Sequence, residues 1–98
     1  MIEKGGYVYI LANRSYGAMY IGVTADLVKR IWQHREQHSE EFTKRYGVTR
    51  LVWFEQHESI IEAIRREKQI KKWNRDWKIN LIQEKNPDWA DLYPSLLG

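Results

Sequence analysis

Five turn-forming residues, Asn13-Arg14-Ser15-Tyr16-Gly17, separate two short runs, Tyr7–Ala12 and Ala18–Gly22. The first run is built of β-branched and aromatic residues that favour a pleated strand. The turn chemistry between the runs makes the pair an antiparallel hairpin. A hairpin this early commits the chain to a sheet that the remaining segments must cover. Two apolar stripes at helical spacing do so. Leu27, Val28, Ile31 and Trp32 form one, behind candidate caps in Thr24-Ala25-Asp26, on a helix reaching about Gln37. Ile60, Ile61, Ala63, Ile64 and Ile70 form the other, behind the cap Ser59. Leu51–Glu55 reads as a third strand and His38–Val48 as a polar loop with a short helical turn. A further helix, about Asp76–Glu84, is stopped by Asn86-Pro87. The order β-β-α-β-α-α predicts an α+β fold: a small three-stranded, largely antiparallel sheet flanked by helices.

Ninety-eight residues suffice for one core. The expected organisation is a single domain, 1–98, with its core at about 6–89 and a tail, 87–98, whose Trp89, Leu92 and Tyr93 pack back on the body. Cysteine is absent, which removes disulfides, thiolate zinc sites and cysteine nucleophiles and fits a reducing compartment. The longest apolar run, Tyr7–Ala12, is far too short to span a bilayer, and no signal-peptide pattern precedes it. The expected location is therefore the cytoplasm, with no membrane partner. Net charge is only +3, but seven of the sixteen Lys and Arg residues fall between Arg65 and Lys78. A basic segment of that kind suits a polyanion; read blandly, it is a solvated helix face.

Polar residues on apolar faces carry the chemical signal. A hairpin turning symmetrically between Arg14 and Ser15 sets Tyr9 directly across from Tyr20, two phenols on one face. At 100° per residue, Glu67 falls inside the arc defined by Ile60, Ala63, Ile64 and Ile70. A carboxylate there needs a cation, a proton or an ion pair with a Lys one turn away. Arg30 and His34, four residues apart, share a helix face beside Leu27 and Ile31. Two Tyr, an Arg–His pair and a misplaced Glu together suit cleavage of a phosphodiester. The carboxylate can hold a divalent metal, the Arg can bind phosphoryl oxygens, and a Tyr or His can orient or deprotonate water. With one strong carboxylate, a single metal is expected. His34 and His38 have the spacing of a metal pair but lack a third ligand, and no phosphate-cradling glycine loop or nucleophile elbow occurs. Trp73 and Trp77, lying amid Lys and Arg, are the two tryptophans best placed for nucleic-acid contact.

Tyr7-Val8-Tyr9 followed after ten residues by Tyr20-Ile21-Gly22 resembles the paired signature of the GIY-YIG nuclease superfamily, specifically its small stand-alone branch. Arg30, His34 and Glu67 stand in the family's order, and Asn86-Pro87-Asp88-Trp89 is similar to the branch's terminal segment. The resemblance implies a metal-dependent endonuclease acting on DNA, with RNA a second candidate, in repair or recombination-type processing. It implies Tyr9 as general base or water-positioner and Tyr20 as a ligand of water or phosphate. Arg30 would bind the scissile phosphate, His34 would assist proton transfer, and Glu67 would ligate a single Mg²⁺ or Mn²⁺. A supporting Asn is expected downstream of Glu67, with Asn80 competing against Asn74 and Asn86. The first triplet departs from Gly-Ile-Tyr, with Tyr7 replacing a small residue on a strand, where its bulk could cover an edge. No appended recognition module fits, so grip is expected from the basic segment (Lys68, Lys71, Lys72 and Arg75), a homodimer or a partner protein. The alternatives are a non-catalytic nucleic-acid-binding module and a repair-complex interaction domain contacting its partner through the tail near Trp89 and Tyr93.

Overall fold

The computed structural model describes residues 5–37 and 41–98. Its elements are β1 (Gly6–Ala12), β2 (Met19–Thr24), α1 (Leu27–Trp32), a π-helical turn (Gln33–Gln37), α2 (Glu41–Tyr46), β3 (Arg50–His57), α3 (Ile60–Lys71), α4 (Arg75–Lys85) and α5 (Tyr93–Leu96). The sheet order is β2-β1-β3, antiparallel throughout, so the expected α+β class holds.

The hairpin register differs from the expected one. Tyr9 pairs with Gly22, and Tyr20 pairs with Leu11. The loop spans residues 13–18, because Asn13 closes it: its Oδ1 accepts from Ala18 N at 2.9 Å, while Asn13 N donates to Ala18 O at 3.3 Å. That moves the turn centre by one residue and each cross-strand partner by two. A two-residue slip keeps every side chain on its face. Tyr9 and Tyr20 therefore remain on the same side as diagonal neighbours.

Side-chain alternation sends the strands into two cores. Val8, Ile10, Ala12 and Ile21 pack with Ala63, Ile70, Ile82 and Trp89 on the α3–α4 side. Tyr9 and Leu11 pack with Leu27, Ile31, Val48 and Leu51 on the α1 side. Tyr7 belongs to this second layer, beside Phe54 and Leu27; β1 is the central strand, so Tyr7 covers no edge. The stripes are narrower than their sequence suggests. Val28 and Trp32 on α1, and Ile61 and Ile64 on α3, are exposed, since a short helix on a small sheet buries only its central arc.

The tail folds back as expected and packs along the start of β3. Pairing jumps from Ile10↔Trp53 to Leu11↔Leu51, leaving Val52 as the extra residue of a bulge. Asn86 Nδ2 donates to the Val52 carbonyl at 3.0 Å and to Ala90 O at 2.9 Å, and its Oδ1 accepts from Ala90 N at 3.0 Å. Leu92 N then donates to Leu51 O at 2.8 Å. The tail thus covers the start of the β3 edge, at Leu51 and Val52, where open backbone groups would otherwise invite pairing with another chain. Trp89 is 1% exposed, which corrects the idea of it as a partner contact: it is core. Asn86→Ala strips the bracket from a buried bulge and is expected to cost about 2–3 kcal/mol. A urea melt should show a lower midpoint at unchanged slope; an unchanged midpoint would mean the bracket is dispensable.

Candidate active site

Three rings converge on the α1 side of the sheet. Tyr9, 1% exposed, shares a hydrogen bond of 2.9 Å between its phenol oxygen and His34 Nε2. Ring centroids lie 6.3 Å apart for Tyr9–Tyr20, 5.8 Å for Tyr9–His34 and 5.2 Å for Tyr20–His34. A fully buried His bonded to a buried Tyr is a specific arrangement, since burial of either polar group without a partner is costly. The pairing with Gly22 makes room for it: a Cβ on Gly22 would overlap the Tyr9 ring and its hydroxyl. Glycine is therefore required at position 22 by close approach to the Tyr9 ring. Gly22→Ala is expected to destabilise by about 1–3 kcal/mol, because the ring must leave its rotamer. Thermal melting reads the cost, and the Tyr9 ring resonances should shift; unshifted resonances would place the ring elsewhere.

His34 arrives on an unusual element. Asp26 caps α1, with Oδ1 accepting from Lys29 N at 3.2 Å, but regular α-helix ends at Trp32 and residues Gln33–Gln37 form a π turn. Such turns are rare and concentrate at functional positions. Arg30 lies one turn before His34 on the same helix, half-buried, with Nη1 donating to Gln33 Oε1 at 3.3 Å. His38 lies outside the described residues.

Glu67 stands in the other layer, on α3. Its side chain is 12% exposed and pairs with Lys71 at 3.2 Å, the one-turn ion pair that its position in the apolar arc allowed. The two layers meet at the free edge of β2. There an open groove of about 590 Å³ is lined by Met19, Tyr20 and Ile21 from the strand and by Lys71, Arg75 and Lys78 from α3 and α4. Tyr20 borders both the ring cluster and this groove, and Lys71 borders both the groove and Glu67.

The remaining candidates are dispersed. Lys68 and Lys72 are exposed on and just beyond α3. Arg75 is engaged in part with the hairpin loop, donating to Tyr16 O at 2.6 Å and Gly17 O at 2.9 Å. Asn74 caps α4, accepting from Trp77 N at 2.9 Å, and Asn86 is the tail bracket. Asn80 is exposed and lines a shallow pocket with Trp73 and Trp77, away from the ring cluster. Trp77 is 57% exposed and Trp73 packs edge-on against it, 5.9 Å between centroids. Lys78 joins the groove although only its membership of the basic segment hinted at it.

Among the described residues, no three His, Cys, Asp or Glu side chains gather in one place. The donor set at Glu67 is one hard carboxylate. That suits Mg²⁺ or Mn²⁺, which keeps several waters and takes further oxygens from a substrate phosphate, and does not suit a closed zinc site. No helix among the described residues is long and apolar enough to cross a membrane.

Residues 5–80 match the family described as the GIY-YIG catalytic domain. The chain is 40% identical over 80 residues to a UPF0213 protein of Clostridium perfringens, covering 82% of this chain and 85% of that one. It is 35% identical over 78 residues to a UPF0213 protein of Staphylococcus saprophyticus, covering 80% and 94%. The solution NMR structure of a UPF0213 protein from Bacillus halodurans superposes with a TM-score of 0.55 at 32% identity, over 89% of this chain and 92% of that one. The paired Tyr signature, the ring cluster built from it and this match agree: the chain belongs to the GIY-YIG catalytic domain family, a nuclease-type family, and to its small UPF0213 members.

Proposed function

We propose that the chain is a metal-dependent endonuclease that hydrolyses phosphodiester bonds in DNA, with RNA a second candidate substrate. On this reading it is structure-selective or weakly specific and serves repair or recombination-type processing in the cytoplasm. The observation that carries the proposal is the buried Tyr9–His34 hydrogen bond, with Tyr20 packed against it, inside a GIY-YIG catalytic domain. Tyr9 positions the attacking water and passes its proton toward His34 as the water oxygen bonds to phosphorus. Tyr20, at the groove border, holds the water or a phosphoryl oxygen, and Arg30 neutralises the charge gathering on the phosphate. The bond from phosphorus to the leaving sugar oxygen breaks as the new one forms, and that oxygen takes up a proton from solvent water. Glu67 would hold a Mg²⁺ or Mn²⁺ ion, which supplies Lewis-acid stabilisation of the phosphate and the leaving oxygen. Lys71, Arg75 and Lys78 would receive the flanking backbone, whether the protein acts alone, as a homodimer or with a partner.

The Glu67–Lys71 ion pair favours a second reading, a binding module in which the carboxylate orders a lysine rather than a metal. One experiment separates the two. Purified protein is incubated with labelled duplex, branched and single-stranded DNA and RNA, with Mg²⁺, with Mn²⁺ and with chelator. Cleavage that needs the metal supports the enzyme. Binding that weakens log-linearly with salt, with no cleavage of any substrate, supports the module and refutes the enzyme.

A further inference from the structure

The π turn bearing His34 is held from outside the residues matched to the family. Arg35, the residue after His34, donates from Nη1 to Asp91 Oδ2 at 2.6 Å and to Thr49 O at 3.3 Å. Its guanidinium also lies 4.8 Å from the centroid of the Tyr93 ring. The other oxygen of Asp91 accepts from Leu51 N at 3.2 Å and from Tyr93 N at 3.1 Å. One carboxylate therefore joins the π turn, the β3 edge and the start of α5. The segment bearing it is anchored on both sides, by buried Trp89 in the α3–α4 core and by Leu92 and Tyr93 against the α1 core.

A π turn in isolation yields to regular α-helix, so a persistent one implies tertiary contacts that select it. Near this turn those contacts run to a residue 56 positions away. We propose that Asp91 is a positioning residue: through Arg35 it fixes the π turn that sets the His34 ring against Tyr9 and Tyr20. The tail is then part of the site's machinery, although the family match ends at residue 80. The proposal concerns the geometry of His34 and stands on that geometry. Only its kinetic readout rests on the nuclease reading.

The test uses the full chain, ¹⁵N-labelled, with three variants. Asp91→Ala removes the hub. Asp91→Asn keeps an acceptor for the Leu51 and Tyr93 amides and deletes the ion pair, so it guards against simple unfolding. Leu97→Ala, at a 61% exposed tail position, is the control. Asp91→Ala and Asp91→Asn are expected to move the imidazole ¹⁵N resonances of His34, which report tautomer and hydrogen bonding, while those of His57 stay in place. Leu97→Ala is expected to move neither. In a cleavage assay kcat should fall about 10–100-fold in the Asp91 variants, as for a small misplacement of a reacting group, with KM within about twofold. Unmoved His34 resonances in folded Asp91→Asn would overturn the proposal, as would equal movement in Leu97→Ala. If wild-type protein cleaves nothing, the resonances alone decide, so loss of the nuclease reading and loss of this one remain distinct.

Discussion

Glu67→Ala is expected to lower metal-dependent cleavage by about 10³-fold or more while leaving the protein folded, because a metal's Lewis-acid contribution is several kcal/mol and each 1.36 kcal/mol is tenfold. The structural cost is small by comparison. Lys71, the partner, is 53% exposed and returns to water when the carboxylate goes. An ion pair of this one-turn kind is worth about 0.3–0.5 kcal/mol on a helix. Single-turnover rates beside a thermal melt read both quantities. A variant that cuts like wild type, or one that fails to fold, would show that Glu67 is there for Lys71 and the core.

Tyr9→Phe is the second large effect and the cleaner substitution. It deletes one oxygen and keeps the ring that fills the space above Gly22, so the packing against Tyr20 and His34 persists. Removing the phenol takes one partner from a fully buried histidine and costs about 1–3 kcal/mol of stability. Losing a positioned acid–base group costs about 10²–10⁴-fold in rate. A rate close to wild type would make the three rings a packed core with a satisfied histidine and nothing more.

Much of this was legible in the residues, and the misses have physical causes. Alternation along Tyr7–Ala12 was enough to separate Tyr9 from Val8 and Ile10, and that separation survived a wrong turn centre because the slip was even. Helical phase alone put Glu67 inside the apolar arc, and phase also supplied its Lys71 partner. The π turn had no local signal. Arg35 within it is held by Asp91, far along the chain, and no periodicity within residues 33–37 reports a contact of that range. The bulge at Val52 was equally silent, because its carbonyl is satisfied by Asn86, and a lone Asn before Pro reads only as a helix stop. Ile61 and Ile64 looked like core because they are apolar; their exposure depends on how little sheet lies beneath α3. Glu67 and the ring cluster belong to opposite layers, and they are linked at the β2-edge groove through Tyr20, which packs on His34, and Lys71, which pairs with Glu67.

The proposed mechanism requires residues from both layers to act on one substrate at that edge. It is tested most directly by single-turnover cleavage in Mg²⁺, with wild type, Tyr9→Phe and Glu67→Ala assayed side by side on the best substrate of the panel. Wild type alone should cut at an appreciable rate, with both variants folded and slowed by at least about 10²-fold. Wild-type cleavage matched by either folded variant would contradict that mechanism, because one layer would then suffice.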